Sequence, residues 1–274
     1  MHPMQRVHRM HFGLALIFSG SMLAGCATPT AGPPGYIAMP PATVGDARGG
    51  RSVSVPPLPE RLKFLALQEW TLWGRARWNP AANTFERPAA EAPKTEDLPE
   101  ATSRVLHYWF SFKGRDFQAE RALFADGSLQ PWSAVFVSYL MKTAGVGAER
   151  FPQHEGHWTY IRAILDAPSA NGFEALDAAA NAPAVGDVLC APRDAAAARF
   201  TSFAELSALT RQERARPYPY HCDLVVDITP TEAGLVGGNI AESVVWTRVA
   251  VDARGIVQPT QQRPWLVLLR NHLR

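Results

Sequence analysis

His221-Cys-Asp-Leu-Val-Val-Asp-Ile228 is the stretch on which the fold turns. Successive side chains of a strand point to opposite faces. His221, Asp223, Val225 and Asp227 therefore share one face, and Cys222, Leu224, Val226 and Ile228 share the other. The second face is wholly apolar and predicts burial, which leaves His221 and Asp223 looking out on a polar face. Downstream, apolar runs separated by turn residues predict further strands over 234–239, 243–251 and 265–270. Upstream, Gly186-Asp187-Val-Leu-Cys-Ala191 reads as a short strand after a turn. Before these the period changes. Apolar residues at helical spacing predict helices over 60–78, 100–112, 131–144 and 157–167, with a helical insertion over 202–216. Pro131 fits the first turn of the third helix and Gly145 its stop. The proline-rich stretch 79–99 reads as loop. Helices first and a meander of strands afterwards predict an α+β fold, with N-terminal helices packed on an antiparallel sheet.

Composition narrows the class of protein. Of 274 residues 47% are hydrophobic, too many for a disordered chain. The formal charge of +2 comes without Lys/Arg runs, which argues against a nucleic-acid partner. Residues 1–25 carry Arg6, Arg9 and no acid ahead of a short apolar run, the pattern of a secretory signal. The run ends in Leu23-Ala24-Gly25-Cys26, which resembles the lipobox of bacterial lipoproteins. That resemblance implies cleavage before Cys26, a lipid anchor on its thiol and, with Ala27 instead of Asp next to it, the periplasmic side of the outer membrane. Residues 26–59, rich in proline and glycine, predict an extended tether from the lipidated Cys26. Residues 60–274 then form one domain.

Three motifs within that domain bear on chemistry. Ser133 opens a helix and shares a stripe with Phe136, Val137, Leu140 and Ala144, so its hydroxyl points inward. The first turn of a helix offers free backbone donors and a positive dipole end, which favour a developing alkoxide or oxyanion. Serine is equally at home there as a cap. His221 at a strand start is placed to act as a general base, or is simply a partly exposed strand-end histidine. Gly237-Gly238-Asn239 puts two residues without side chains in a strand, a mark of close approach by another group or of a bulge.

Trp132-Ser-Ala-Val-Phe-Val-Ser138, His157-Trp-Thr-Tyr-Ile161, Gly186-Asp-Val-Leu-Cys190, His221-Cys-Asp-Leu-Val-Val226 and Gly237-Gly-Asn239 follow one another, and their order, a helix-start nucleophile, a Gly-Asp strand, a strand beginning with His and a strand carrying Asn, resembles the papain-like cell-wall hydrolases of the NlpC and CHAP groups. More closely, they resemble a family of exported bacterial proteins classed as a domain of unknown function. The resemblance implies a papain-like NlpC/CHAP-type fold. It places Ser133 where those hydrolases have a nucleophilic cysteine, His221 at the base and Asn239 at the residue that orients the imidazole, with Asp223 as a second candidate for that role. Trp132, His157 and Gly238 are expected to line the substrate cleft. The implied activity is hydrolysis of peptidoglycan peptide or amide bonds, and the alternative is a non-catalytic envelope binding or assembly lipoprotein.

A serine must surrender its proton during attack, whereas a cysteine works as a preformed thiolate. Cysteine is not available for that task here. Cys26 is the expected anchor, while Cys190 and Cys222 lie on neighbouring predicted strands in an oxidising compartment, which predicts a disulfide between them. Such a cross-link contributes about 3–4 kcal/mol in the chain-entropy account. His154-Glu-Gly-His157 lacks the H-E-x-x-H spacing of a zinc helix, so no metal and no cofactor are expected. Without residues 1–25 the chain carries 25 basic and 25 acidic side chains, which weakens any case for a polyanionic partner further.

Overall fold

The computed structural model describes residues 54–89, 94–168, 170 and 172–273. The signal segment, Cys26 and most of the tether lie outside the described residues. Among the described residues no helix is long and apolar enough to cross a membrane.

The architecture is α+β. Helix α1 (Leu58–Leu72) is followed by strands β1 (Arg77–Asn79) and β2 (Thr84–Glu86), then by helices α2 (Pro99–Lys113), α3 (Ser133–Thr143) and α4 (His157–Asp166). Strands β3 (Phe173–Asp177) and β4 (Val188–Pro192) precede three short helices, α5 (Asp194–Arg199), α6 (Phe203–Ser207) and α7 (Arg211–Arg214). The chain finishes with β5 (Tyr220–Ile228), β6 (Glu232–Ile240), β7 (Ser243–Ala250) and β8 (Val267–Asn271). All eight strands form one sheet in the order β2-β1-β7-β6-β5-β4-β8-β3. Every neighbouring pair is antiparallel except β1 and β7, which run parallel.

Several boundaries differ from those the sequence predicts. The first helix starts at Leu58, with Pro59 in its first turn, and ends at Leu72 instead of Trp78. Gly74 and Arg75 take positive φ values of 85° and 56°, which reverses the chain. The residues after them leave the helical period because β7 offers them a ladder. Pro131 precedes the capping residue Trp132 and so lies just outside α3, whereas Gly145 at φ 87° stops that helix as expected. The insertion over 202–216 divides into α6 and α7, each opened by a capping box, Ser202 with Glu205 and Thr210 with Glu213. β1 and β2, three residues each, are too short to carry a period of their own, and β3, which the sequence does not predict, pairs along its whole length with β8.

α3 sits at the centre. Its side chains from Ser133 to Met141 are all buried, and it packs on both β5 and β6. The close approach needs a position on β6 without a side chain. A Cβ added to Gly238 would lie 2.6 Å from the Trp132 ring and 2.7 Å from Phe136 Cβ. The helices are tied to one another through Glu69 of α1, which is 1% exposed. Its carboxylate accepts hydrogen bonds from Tyr108 of α2 at 2.6 Å and Tyr139 of α3 at 2.9 Å, and it pairs bidentately with Arg104 of α2. Burial, helped by the Glu69 charge, pushes both phenols up, so they remain neutral donors.

The sheet is buried on both faces at its centre, and here an expectation fails. Cys222, Leu224 and Val226 join the core beneath the helices, as their pattern predicts, whereas Ile228 at the strand end is exposed. His221 and Asp223, expected on a polar outer face, are 1% and 0% exposed. Residues 251–266 bring Val257 and Trp265 against Leu189, Val225, Leu235 and Val249 to form a second apolar layer on that face, and the His157 ring lies against His221. Cys190 and Cys222 stand directly opposite each other in the β4–β5 ladder and are joined by the expected disulfide.

Two variants test this packing. Gly238→Ala forces a methyl group into Trp132 and Phe136 and should cost about 1–3 kcal/mol, read as a lower urea midpoint. Glu69→Ala strips α2 and α3 of their common acceptor, and because Arg104 is partly solvated the loss should be about 2–4 kcal/mol in the same assay.

Candidate active site

Ser133 is the first residue of α3, and its hydroxyl is not spent on capping that helix. Instead Ser133 Oγ lies 2.7 Å from Nε2 of His157, the first residue of α4. On the other side of the ring, Nδ1 meets the hydroxyl of Tyr160, one turn further along the same helix. With Ser133 donating to Nε2, the ring proton sits on Nδ1 and is donated to the Tyr160 oxygen. The imidazole is buried, 5% exposed. Burial holds its pKa well below the ordinary histidine value, and the charges of His221, Arg193 and Arg263 push in the same direction. Burial, with the Asp223 charge adding to it, keeps Tyr160 a neutral phenol. The trio is therefore a hydroxyl, a neutral base and a neutral group that fixes the tautomer of that base.

The base that touches Ser133 is thus His157, which the sequence places only in the cleft lining. His221, the expected base, lies immediately beyond it, with the two ring centroids 5.3 Å apart. His221 Nε2 is 2.8 Å from Asp223 Oδ1, while its Nδ1 and Asp223 Oδ2 are buried without hydrogen-bond partners. Burial lowers the His221 pKa, and the Asp223 carboxylate opposes that shift. The partner of this imidazole is Asp223, the lower-ranked candidate, and not Asn239. Strand spacing alone argues against an i, i+2 bond, but Gly237 on β6 leaves the space in which the bond forms. A Cβ there would stand 1.7 Å from Asp223 Oδ1.

Asn239 serves a different neighbour. At φ 57°, beside an irregular register between Gly237 and Ile240, it donates from Nδ2 to Glu96 Oε2 at 2.8 Å. The same oxygen receives Trp132 Nε1 at 2.6 Å. Asn239 and Glu96 therefore fix Trp132, the residue next to Ser133, and do not orient an imidazole. Trp132 and Gly238, expected in the cleft, are packed against each other in the interior. Of the three expected lining residues, His157 alone faces an opening. Glu96 and Tyr160 were not anticipated. Tyr160 carries a faint signal in its i, i+3 spacing from His157, whereas nothing local marks Glu96.

Ser133 and His157 open into a cavity of about 530 Å³ whose walls include Trp158, Arg162, Arg193 and Tyr220. Two larger openings, of about 670 and 620 Å³, include neither Ser133 nor His157. Among the described residues no group of three His, Cys, Asp or Glu is arranged to hold a metal ion. The chemistry on offer is nucleophilic attack assisted by a general base, beside the free N–H groups of a helix N-terminus.

The family model described as an uncharacterized protein conserved in bacteria, DUF2272, matches residues 96–271. The chain belongs to this family. No curated protein and no solved structure matches it. The DUF2272 segment begins at Glu96 itself and contains Ser133, His157, Tyr160, His221, Asp223 and Asn239. It leaves out α1, whose Glu69 braces α2 and α3 from outside the matched region.

Two histidines held neutral by burial make stability depend on pH. Each has a folded pKa below its unfolded value of about 6.5, so the stabilisation is complete above that pH. As pH falls below it, the unfolded chain takes up protons that the folded chain refuses, and stability drops until the folded pKa is reached. Tm should therefore fall between pH 7 and pH 5, and His157→Gln should flatten the slope. A Tm independent of pH over that range would contradict neutral burial.

Proposed function

We propose that this protein is a lipid-anchored hydrolase of the bacterial envelope that cleaves peptide or amide bonds of peptidoglycan through an acyl-Ser133 intermediate. The anchor is Cys26, on the periplasmic face of the outer membrane. The observation that carries the reading is the 2.7 Å contact between Ser133 Oγ and a neutral His157 Nε2, at a helix N-terminus that opens into a cavity. Helices followed by antiparallel strands, with the serine on a helix start and a histidine at a strand start, support an NlpC/CHAP-type papain-like fold.

In the proposed reaction Ser133 Oγ attacks the scissile carbonyl carbon while His157 Nε2 takes the hydroxyl proton. The oxyanion is stabilised by N–H groups of the first turn of α3. The C–N bond then breaks as His157 returns the proton to the leaving amine. Water, deprotonated by the same nitrogen, attacks the acyl carbon, and the ester bond to Ser133 Oγ breaks as His157 returns that proton to Oγ. The Tyr160 oxygen accepts the hydrogen bond from Nδ1–H throughout. The His221–Asp223 pair supports the His157 ring from behind.

A second reading, a binding or assembly protein that keeps the cleft without the reaction, draws on the small exposure of Ser133, 6%. Incubation with muropeptides and mass spectrometry of the products separates the two. Hydrolysis should be lost in Ser133→Ala and reduced at least a hundredfold in His157→Ala. Identical products from the wild-type and Ser133→Ala proteins would refute the hydrolase. Because the base works only when unprotonated and its pKa is depressed, the acid limb of the kcat/KM profile should have its midpoint below pH 6.5.

A further inference from the structure

The walls of the Ser133 cavity hold polar groups that the reaction above does not use. Arg162 of α4 and Arg193, the residue between β4 and α5, both line it. Among the described residues neither guanidinium has a hydrogen bond or an ion pair to a protein group, whereas Arg214 is paired with Asp166 and Arg248 with Glu232. Of the two acids on the rim, Glu155 is engaged by Lys113 at 2.7 Å and Asp194 is exposed. Tyr220 is 5% exposed and lines the same cavity, and its hydroxyl is buried without a partner. Burial pushes that phenol up, so it is a permanent donor. A buried O–H without an acceptor is destabilising, a loss that an acceptor on a bound molecule would recover.

The remaining wall is aromatic. Trp158 stacks on Tyr220 at 5.4 Å and meets Tyr218 edge-on at 5.0 Å, with Pro217 and Pro219 beside them. The cavity thus joins an apolar wall to two unpaired cations and an unused neutral donor.

From this arrangement we infer that the cavity selects acyl donors bearing a carboxylate close to the scissile bond, with Arg162 and Arg193 holding that carboxylate and Tyr220 donating to the same end of the substrate. The inference rests on the hydrolase reading and specifies its substrate class. Guanidinium is suited to this task because its fork of N–H donors matches the two oxygens of a carboxylate. An amidated or esterified substrate would leave both cations unpaired and be discriminated against. The Arg193 charge already reaches both buried imidazoles, so a bound carboxylate would also offset its effect on them.

The test uses the full chain in detergent as the Ser133→Ala variant, so that binding is measured without turnover. Calorimetry compares muropeptides with the same muropeptides after their carboxylates have been converted to amides. The free acids should bind at least tenfold more tightly. Arg162→Gln combined with Arg193→Gln should reduce that ratio to about twofold or less with Tm unchanged, since neither side chain is bonded in the fold. Tyr220→Phe should weaken the acids and spare the amides. Equal affinity for acid and amide overturns the inference, even if wild-type protein hydrolyses both. Acid-selective binding that depends on the arginines, without Ser133-dependent hydrolysis, upholds the carboxylate site and overturns only the hydrolase. Binding of neither form overturns both.

Discussion

Nine consecutive side chains of α3, Ser133 to Met141, are shut away from water, so this helix must be surrounded on every side by partners that fit. Each surrounding element answers that demand differently. β6 presents Gly238 without a side chain, so that the rings of Trp132 and Phe136 can lie against its backbone. α1 and α2 supply the Glu69–Arg104–Tyr108 cluster that accepts the buried Tyr139 hydroxyl. Glu96 meets the buried Trp132 nitrogen and is itself held by Asn239. A buried polar group left unsatisfied costs more than a satisfied one contributes, so these bonds act mainly by removing penalties.

The same enclosure creates the chemistry. A serine on an exposed helix start would cap its own backbone or bond water, whereas Ser133 in the interior has an imidazole for a partner. His157 in water would be partly protonated near neutral pH. Enclosed with Tyr160 and beside other cationic groups, it stays neutral and can accept the serine proton. The polar groups of the site lie in two layers. The first is Ser133, His157 and Tyr160 on two helix starts. The second is His221 and Asp223 on the central strand, with Gly237 making room for the carboxylate. The first opens to a cavity and the second does not.

Much of the fold is legible in residue order, because long periodic segments carry their own signal. α2, α4 and the strands β4 to β8 follow from apolar spacing, and the pairing of Cys190 with Cys222 follows from the neighbouring strands that carry them. What escaped were β1, β2 and β3, segments of three to five residues at the two ends of the sheet whose extended form depends on a ladder partner. The burial of His221 and Asp223 also escaped. Their alternation with apolar residues reads as one wet face, and the second layer that dries it comes from residues 251–266, which have little period of their own.

The sequence by itself determined the longer helices, the strands β4 to β8 and the inward direction of Ser133, because each depends on local spacing. Only the tertiary structure decided which histidine meets the serine, which acid meets the other histidine, and which groups face the cavity. Those choices depend on distances of a few ångströms between segments separated by tens of residues. Ser133 and His157 start different helices, and His221 and Asp223 bond only because Gly237, on another strand, yields the space. Packing sets such distances, and no spacing along one strand or helix encodes them.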